Sequence, residues 1–328
     1  MQYATAPLTQ IIHTALGVNF GLTYITAAYM TKSNDSVPVV KIEGSQQYQT
    51  HMKRLVDDSQ KRVMHLGEVY IEDGPDLTPA PKEYLGYDEP EQAMFSDYLR
   101  QVTDHATRSL GYSIEITAAG VPSGLDGIAT RHLYHALINT DASALQYGWQ
   151  RLQFLDTARL AYHLDTCQSL GLASSCNINH KSHTIFYVDY NAHYLDLWMA
   201  DVTEMTLNEF VHHRAPHHKK VGDSGFGLAD ETMIQAIRKF VSEQLAPEEA
   251  QVRAVIVSGD TSSLDSIRDA VKDALPARLK SLLRDHIDPM FLGAFGAAHR
   301  ARKYVHEPEL LDDSHDHDHF RHLPHDEL

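Results

Sequence analysis

Gly17-Val18-Asn19-Phe20-Gly21-Leu22-Thr23-Tyr24 decides the fold. Ala15 to Phe20 and Thr23 to Tyr29 read as paired strands around a tight turn, and Val39 to Ile42 reads as a third strand before the polar Gly44-Ser45. A second stretch, Ile185-Phe186-Tyr187-Val188-Asp189-Tyr190-Asn191-Ala192-His193-Tyr194-Leu195-Asp196, repeats the arrangement, since Thr184 to Val202 again runs strand, turn, strand. An internal echo of this kind predicts two lobes built on one plan.

The segments between and after the hairpins alternate helix with strand, which predicts an α/β fold. A helix is expected over Tyr48 to Val63, followed by an exposed Pro-, Asp- and Gly-rich connection from Asp73 to Pro90. Asp88 as N-cap launches a helix to Leu110, where Gly111 stops it. Met94, Tyr98, Leu99, Val102 and Ala106 fall at helical spacing within it. Tyr112 to Ala118 alternates as a strand. Gly127 to Ile138 and Ala142 to Leu170 read as helices, the second kinked near Phe154 to Thr157. Helix Glu231 to Gln244, strand Val252 to Val257, helix Ser262 to Leu275 and helix Pro289 to Val305 complete the second half. The expected organisation is lobe one over residues 1–165, a reduced lobe two over 166–287, a closing helix over 288–305, and a disordered His/Asp-rich tail over 306–328.

Composition narrows the function classes. With 328 residues, 43% hydrophobic and 22% charged, the chain can bury a substantial core, and no apolar run is long enough to cross a bilayer. Lys and Arg total 28 against 44 Asp and Glu, a net charge of −16 that repels a phosphate backbone and argues against a nucleic-acid partner. The 22 histidines include His212-His213, His217-His218 and a tail group of His315, His317, His319 and His322. Neither group has the fixed spacing of a metal centre, so they are read as adventitious ligands and no metal site is assigned.

Cys167 and Cys176 lack a Cys-x-x-Cys partner. Their short loop closes as a disulfide in an oxidising lumen or leaves two thiols elsewhere, and both readings stay open. The terminal His325-Asp326-Glu327-Leu328 matches an endoplasmic reticulum retrieval signal, and Asn34-Asp35-Ser36 is a glycosylation sequon. Met1 to Leu16 lacks a basic and an apolar signal region, so the expected location is the reticulum lumen if the HDEL is read and the cytoplasm otherwise.

Four segments, in order, resemble the actin-like ATPase superfamily, and within it the nucleotide-binding domain of 70-kDa heat-shock chaperones and their divergent fungal relatives. Gly17 to Tyr24 is similar to the first phosphate hairpin and Ile185 to Leu197 to the second. Ala254-Val255-Ile256-Val257-Ser258-Gly259-Asp260-Thr261-Ser262 resembles the strand and turn that pack on adenosine. Asp288 to Ala298 resembles the closing helix. The resemblance implies a two-lobed fold with a ligand cleft between lobes, and the few residues between Gly225 and Val252 imply a reduced outer subdomain in lobe two.

Departures from the family pattern set the functional expectation. The two Mg²⁺-associated aspartates fall on Asn19 and Asp189, so one carboxylate of the pair is missing. Leu22 stands where a hydroxyl residue would face phosphate, and Asn191-Ala192-His193-Tyr194 replaces a glycine turn. The family's catalytic glutamate falls on Phe154, or on Asp156 after a two-residue shift. Lys53 and Lys61 are the candidates for its phosphate-contacting lysine. The expectation is an ATPase fold that has lost hydrolysis and whose cleft serves a small organic molecule, as in an acid/base biosynthetic cyclase, isomerase or dehydratase. Asp189, His193, Tyr194 and Asp196 are the candidate catalytic residues. Asn19, Gly21, Leu22, Thr23, Tyr24, Asp156, Asn191, Gly259 and Asp260 are the candidate ligand-binding residues. No cofactor is expected on this reading. One alternative is a nucleotide-binding regulator that keeps ATP and Mg²⁺ and engages a protein partner; another is a non-catalytic scaffold.

Overall fold

A computed structural model describes residues 15–65, 89–123, 125, 129, 133, 136–137, 150–191, 193–203, 207–216, 231–259 and 264–306. The expected connection over 73–88, most of the helix over 127–138, the region 142–149, the His217-His218 pair, Asp260 and the tail over 307–328 lie outside the described residues, as does Met1 to His13.

Strands β1 (Ala15–Phe20), β2 (Tyr24–Met30) and β3 (Ser36–Glu43) form an antiparallel meander. β4 (Glu115–Val121) and β5 (Gln150–Gln153) add in parallel on the other side of β1, giving the order β3-β2-β1-β4-β5. Strands β6 (Thr184–Tyr190), β7 (Tyr194–Val202) and β8 (Leu207–Pro216) form a second meander. β9 (Val252–Gly259) and β10 (Leu283–Arg284) extend it in parallel from β6, giving β10-β9-β6-β7-β8. Two mixed five-stranded sheets therefore share one strand order and one pattern of directions, and the molecule is α/β.

Side-chain size along β1 explains how its sheet is covered. Leu16, Val18 and Phe20 point to one face, while Ala15, Gly17 and Asn19 point to the other. The bulky face packs on helices α1 (Gln46–His65) and α2 (Glu89–Leu110), through Tyr48, Met52 and Val56 of the first and Phe95, Leu99 and Val102 of the second. Ser45 starts α1 by accepting a hydrogen bond from the Tyr48 amide at 3.2 Å. Gly111 ends α2 in the left-handed region at φ 79°, as its sequence position predicts. Pro38 sits on β3, an edge strand, where a missing amide proton is tolerated.

The small face of β1 takes α7 (Leu292–His306), whose Ala294, Ala297, Ala298 and Ala301 meet Ala15, Ala28 and Ala118. A side chain at Gly17 would stand 2.0 Å from the Ala298 nitrogen, so only a glycine allows the helix this close. Helix α3 (Phe154–Ala161) lies beside α7, and a Cβ at Gly296 would fall 1.8 Å from the Thr157 carbonyl oxygen. Through Ala158, Ala161 and Leu164 the α3 region packs on Ile185, Tyr187 and Trp198 of the second sheet. The opposite face of that sheet buries Phe186, Val188 and Leu197 under helices α4 (Glu231–Phe240) and α5 (Leu264–Ala274) and the short α6 (Ala277–Lys280). The helices α3 and α7 thus form the layer between the two sheets.

Residues 150–153 are a strand paired in parallel with β4, where the sequence pattern predicted one long kinked helix from Ala142 to Leu170. Sheet pairing overrides the helical periodicity there, and turns rather than helix follow Ala161. Cys167 and Cys176 are joined as a disulfide, with Cα atoms 5.8 Å apart. No helix among the described residues is long and apolar enough to cross a membrane.

Candidate functional site

The two hairpin tips face a common cleft, open to solvent and about 50 Å³ in volume. Both tips close in the same way: the Gly21 amide donates to the Tyr24 carbonyl at 2.9 Å, and the Asn191 amide to the Tyr194 carbonyl at 3.1 Å. The cleft is lined from the first sheet by Asn19, Gly21, Leu22, Tyr24 and Ser123, and from the second by Asp189, Asn191, Tyr194, Asp196, Arg214 and Gly259.

Asn191 supports the second tip as a polar staple. Its Oδ1 accepts from the His193 and Tyr194 amides, both at 3.0 Å, an Asx turn that holds the tip closed. Its Nδ2 donates to Asp189 Oδ2 at 3.4 Å, and Ser258 donates to Asp189 Oδ1 at 2.9 Å. Ser258 is itself 2.6 Å from the Tyr187 hydroxyl, whose proton is held firmly by burial and by the nearby Asp189 charge. Asp189 is therefore a carboxylate on a strand end, oriented by two side chains and facing the cleft.

Tyr194 projects from β7 into the core of the first sheet, where it is buried with Val56 and Leu22. Its hydroxyl donates to Asp57 of α1, and Asp57 also pairs with Lys53 at 2.5 Å. Arg214 lies over the ring 4.8 Å from its centroid and Lys53 at 5.8 Å. Burial first, and then the Asp57 hydrogen bond and charge, raise the Tyr194 phenol well above its ordinary value, so it keeps its proton at neutral pH.

Arg214 and Asp196 face each other in register on β8 and β7, and their side chains form a two-pronged pair at 2.6 and 2.7 Å with only 5% and 4% exposure. Burial works against the guanidinium charge, but the Asp196 hydrogen bonds and charge outweigh it and raise the Arg214 pKa. Arg214 also donates to the Ser123 carbonyl of the first sheet's side at 3.3 Å. His212 touches Asp196 at 3.2 Å and stacks flat on Trp198 at 3.4 Å.

Nine residues singled out from sequence line this one cleft: Asn19, Gly21, Leu22, Tyr24, Asp189, Asn191, Tyr194, Asp196 and Gly259. Asn19 is 3% exposed, with its side chain packed against Gly120 and Gly293, and its Oδ1 has no hydrogen-bond partner among the described residues. Gly259 lies against the Tyr190 carbonyl, 1.9 Å from where a Cβ would sit. The other candidates stand elsewhere. Thr23 supports the hairpin through its carbonyl, which accepts from Gly44 at 2.8 Å. His193 is half-buried on the tip, its ring centroid 6.1 Å from that of Tyr194, and is not among the lining residues. Asp156 belongs to the α3–α7 layer, where it pairs with Arg159 at 2.7 Å and Arg300 at 3.3 Å. Asp260 lies outside the described residues.

Sequence reading missed Arg214, Asp57 and Ser123. Arg214 reads as part of a solvated basic loop because His212-His213-Arg214 looks polar, yet it stands on the edge strand β8 with its side chain buried opposite a carboxylate. The available signal was alternation: Val211, His213 and Ala215 alternate with His212 and Arg214, so a strand would place Arg214 on one face beside Asp196. No protein-family model and no curated protein sequence matches the chain, and the functional reading rests on the cleft.

Proposed function

We propose that the chain has the two-lobed actin-like architecture, that its cleft no longer hydrolyses ATP, and that the cleft binds a small hydroxyl-bearing or cationic organic molecule on which Asp189 acts as general base. The repeated strand order of the two sheets and the paired hairpin tips support the architecture. The observation that carries the functional reading is Tyr194: it fills the tip of the second hairpin and is anchored across the cleft on Asp57, where a triphosphate would need small residues with open backbone amides.

The remaining groups do not fit Mg-ATP either. Mg²⁺ asks for several oxygen ligands in near-octahedral array, usually including carboxylates, and the aspartate pair is reduced to Asp189 because position 19 is a neutral amide packed under Gly293. Among the described lining residues two carboxylates, Asp189 and Asp196, stand with one guanidinium, Arg214, so the wall carries a net negative charge. A polyanion meets a net negative wall; a hydroxyl or ammonium group meets an acceptor at Asp189. Asp189 takes a proton from such a ligand, Asn191 and Ser258 orient the carboxylate, and the Tyr194 ring closes one side. Proton abstraction of this kind fits an isomerase, cyclase or dehydratase.

Thermal-shift measurements on the purified chain with Mg-ATP, Mg-ADP and a panel of organic metabolites, combined with mass spectrometry of whatever co-purifies, test this. The expected result is a shift with an organic ligand, no magnesium-dependent phosphate release, and turnover that is lost in Asp189→Asn while binding persists. Phosphate release from Mg-ATP would overturn the reading. A nucleotide shift without hydrolysis would replace it with the regulator, and no shift with any ligand with the scaffold.

A further inference from the structure

Away from the cleft, in the layer between the sheets, His163, Asp165 and His299 bring two imidazoles and a carboxylate together, with one ligand atom from each lying within 4.8 Å of the others. We propose that these three residues form a binding site for a divalent transition-metal ion of the zinc type, which staples the turn after α3 to helix α7. The site is independent of the reading given to the cleft.

Three features of the cluster point to a cation. His299 approaches the Leu160 carbonyl through Nδ1 at 2.9 Å, and a ring that donates Nδ1–H there presents the lone pair of Nε2 on its other side. That arrangement, a backbone carbonyl fixing the tautomer of a ligating histidine, is the usual outer support of a metal-bound imidazole. Nε2 faces Asp165 Oδ2 at 3.9 Å, too far for a hydrogen bond but suited to two ligands flanking one ion. The Asp165 side chain is only 7% exposed, and its Oδ1 is buried with no hydrogen-bond partner among the described residues. A buried carboxylate oxygen left in this state costs free energy unless something positive sits on it.

His163 supplies the third ligand because of its backbone. It adopts φ 54°, a conformation uncommon outside glycine, which turns its ring toward His299 with centroids 4.7 Å apart at 50°. The turn is held by the His163 amide on the Leu160 carbonyl at 3.0 Å, the same oxygen that His299 approaches. Tetrahedral zinc with two nitrogens and one oxygen sets its ligand atoms about 3.3 Å apart and leaves a fourth position for water. Arg300 and Lys303 lie near on α7, so Asp165 is the charge that makes a dication tolerable there. The staple joins the helix that covers the first sheet to the turn that packs on the second.

The experiment uses the full chain with His217, His218, His315, His317, His319, His322 and His325 replaced by Asn, which removes the His217-His218 pair and the tail as competing ligands. After equilibration with Zn²⁺ and dialysis, metal analysis is expected to find a single retained equivalent, and zinc X-ray absorption a shell of two imidazoles with oxygen. His163→Gln, His299→Gln and Asp165→Asn are each expected to weaken binding by at least about tenfold, the loss that even an outer-shell partner can cause. Retention unaffected by these three changes, no retained zinc, or an absorption shell without two imidazoles would overturn the proposal. The absorption measurement needs no change at the cluster, so it decides the matter even if a variant misfolds.

Discussion

At the scale of single residues, Arg214 and Asp196 behave as one unit. Each is buried and hydrogen-bonded to the other, so removing one strands the other's charge in the interior. Arg214→Met or Asp196→Leu alone is expected to cost about 3–5 kcal/mol, whereas the double replacement recovers most of it, because two matched apolar groups need no solvation. Urea unfolding of the four proteins measures this, and strictly additive losses would mean that the pair is not coupled. The same residues mark a limit of sequence reading. Asp189, Asn19 and Tyr194 were legible because each occupies a motif position beside a turn. Arg214 was not, because its partner is brought opposite by the β7–β8 register, which depends on a strand whose histidines and charges mask its period. Asp156 fails the other way: as an acidic residue near the expected position it was a candidate, yet its oxygens are held by Arg159 and Arg300 in the helix layer.

At the scale of elements, the contact between α3 and α7 depends on absent side chains. Gly296→Ala is expected to destabilise by about 1–3 kcal/mol, the cost of overpacking, because the added methyl meets the Thr157 backbone and no rotamer can move it away. A thermal-melt comparison with Gly171→Ala separates the causes: Gly171 has φ 69° but open space around it, so that variant pays only backbone strain, roughly 1 kcal/mol. Equal shifts would show that the α3–α7 approach has room to relax. The closing helix was expected from its sequence, and its Gly and Ala residues are what allow it to pack this close. The strand β5 was not, since four residues ahead of a helix carry too little period to stand against the pattern that follows them.

At the scale of the molecule, the hairpin tips are not only the walls of a cleft but the points at which the two sheets are tied together. Tyr194 reaches from β7 to Asp57 of α1, and Arg214 from β8 to the Ser123 carbonyl after β4, so opening the cleft breaks a charged hydrogen bond and withdraws an aromatic ring from the first sheet's core. A protein that works by closing on a nucleotide needs a low cost of opening; these two contacts make opening costly here. Tyr194→Phe keeps the ring and its burial but removes the bond to Asp57, which is expected to cost about 1.5–3 kcal/mol, less what partial exposure of Asp57 screens. If that bond holds the cleft shut, hydrogen exchange of the Gly21 and Asn191 tip amides should quicken by about tenfold per 1.4 kcal/mol released, while amides deep in β6 and β9 stay protected. Uniform acceleration across both sheets would place the loss in global stability instead, and an unchanged tip would show that the cleft is held by packing of the ring and the Arg214 bridge without help from Asp57.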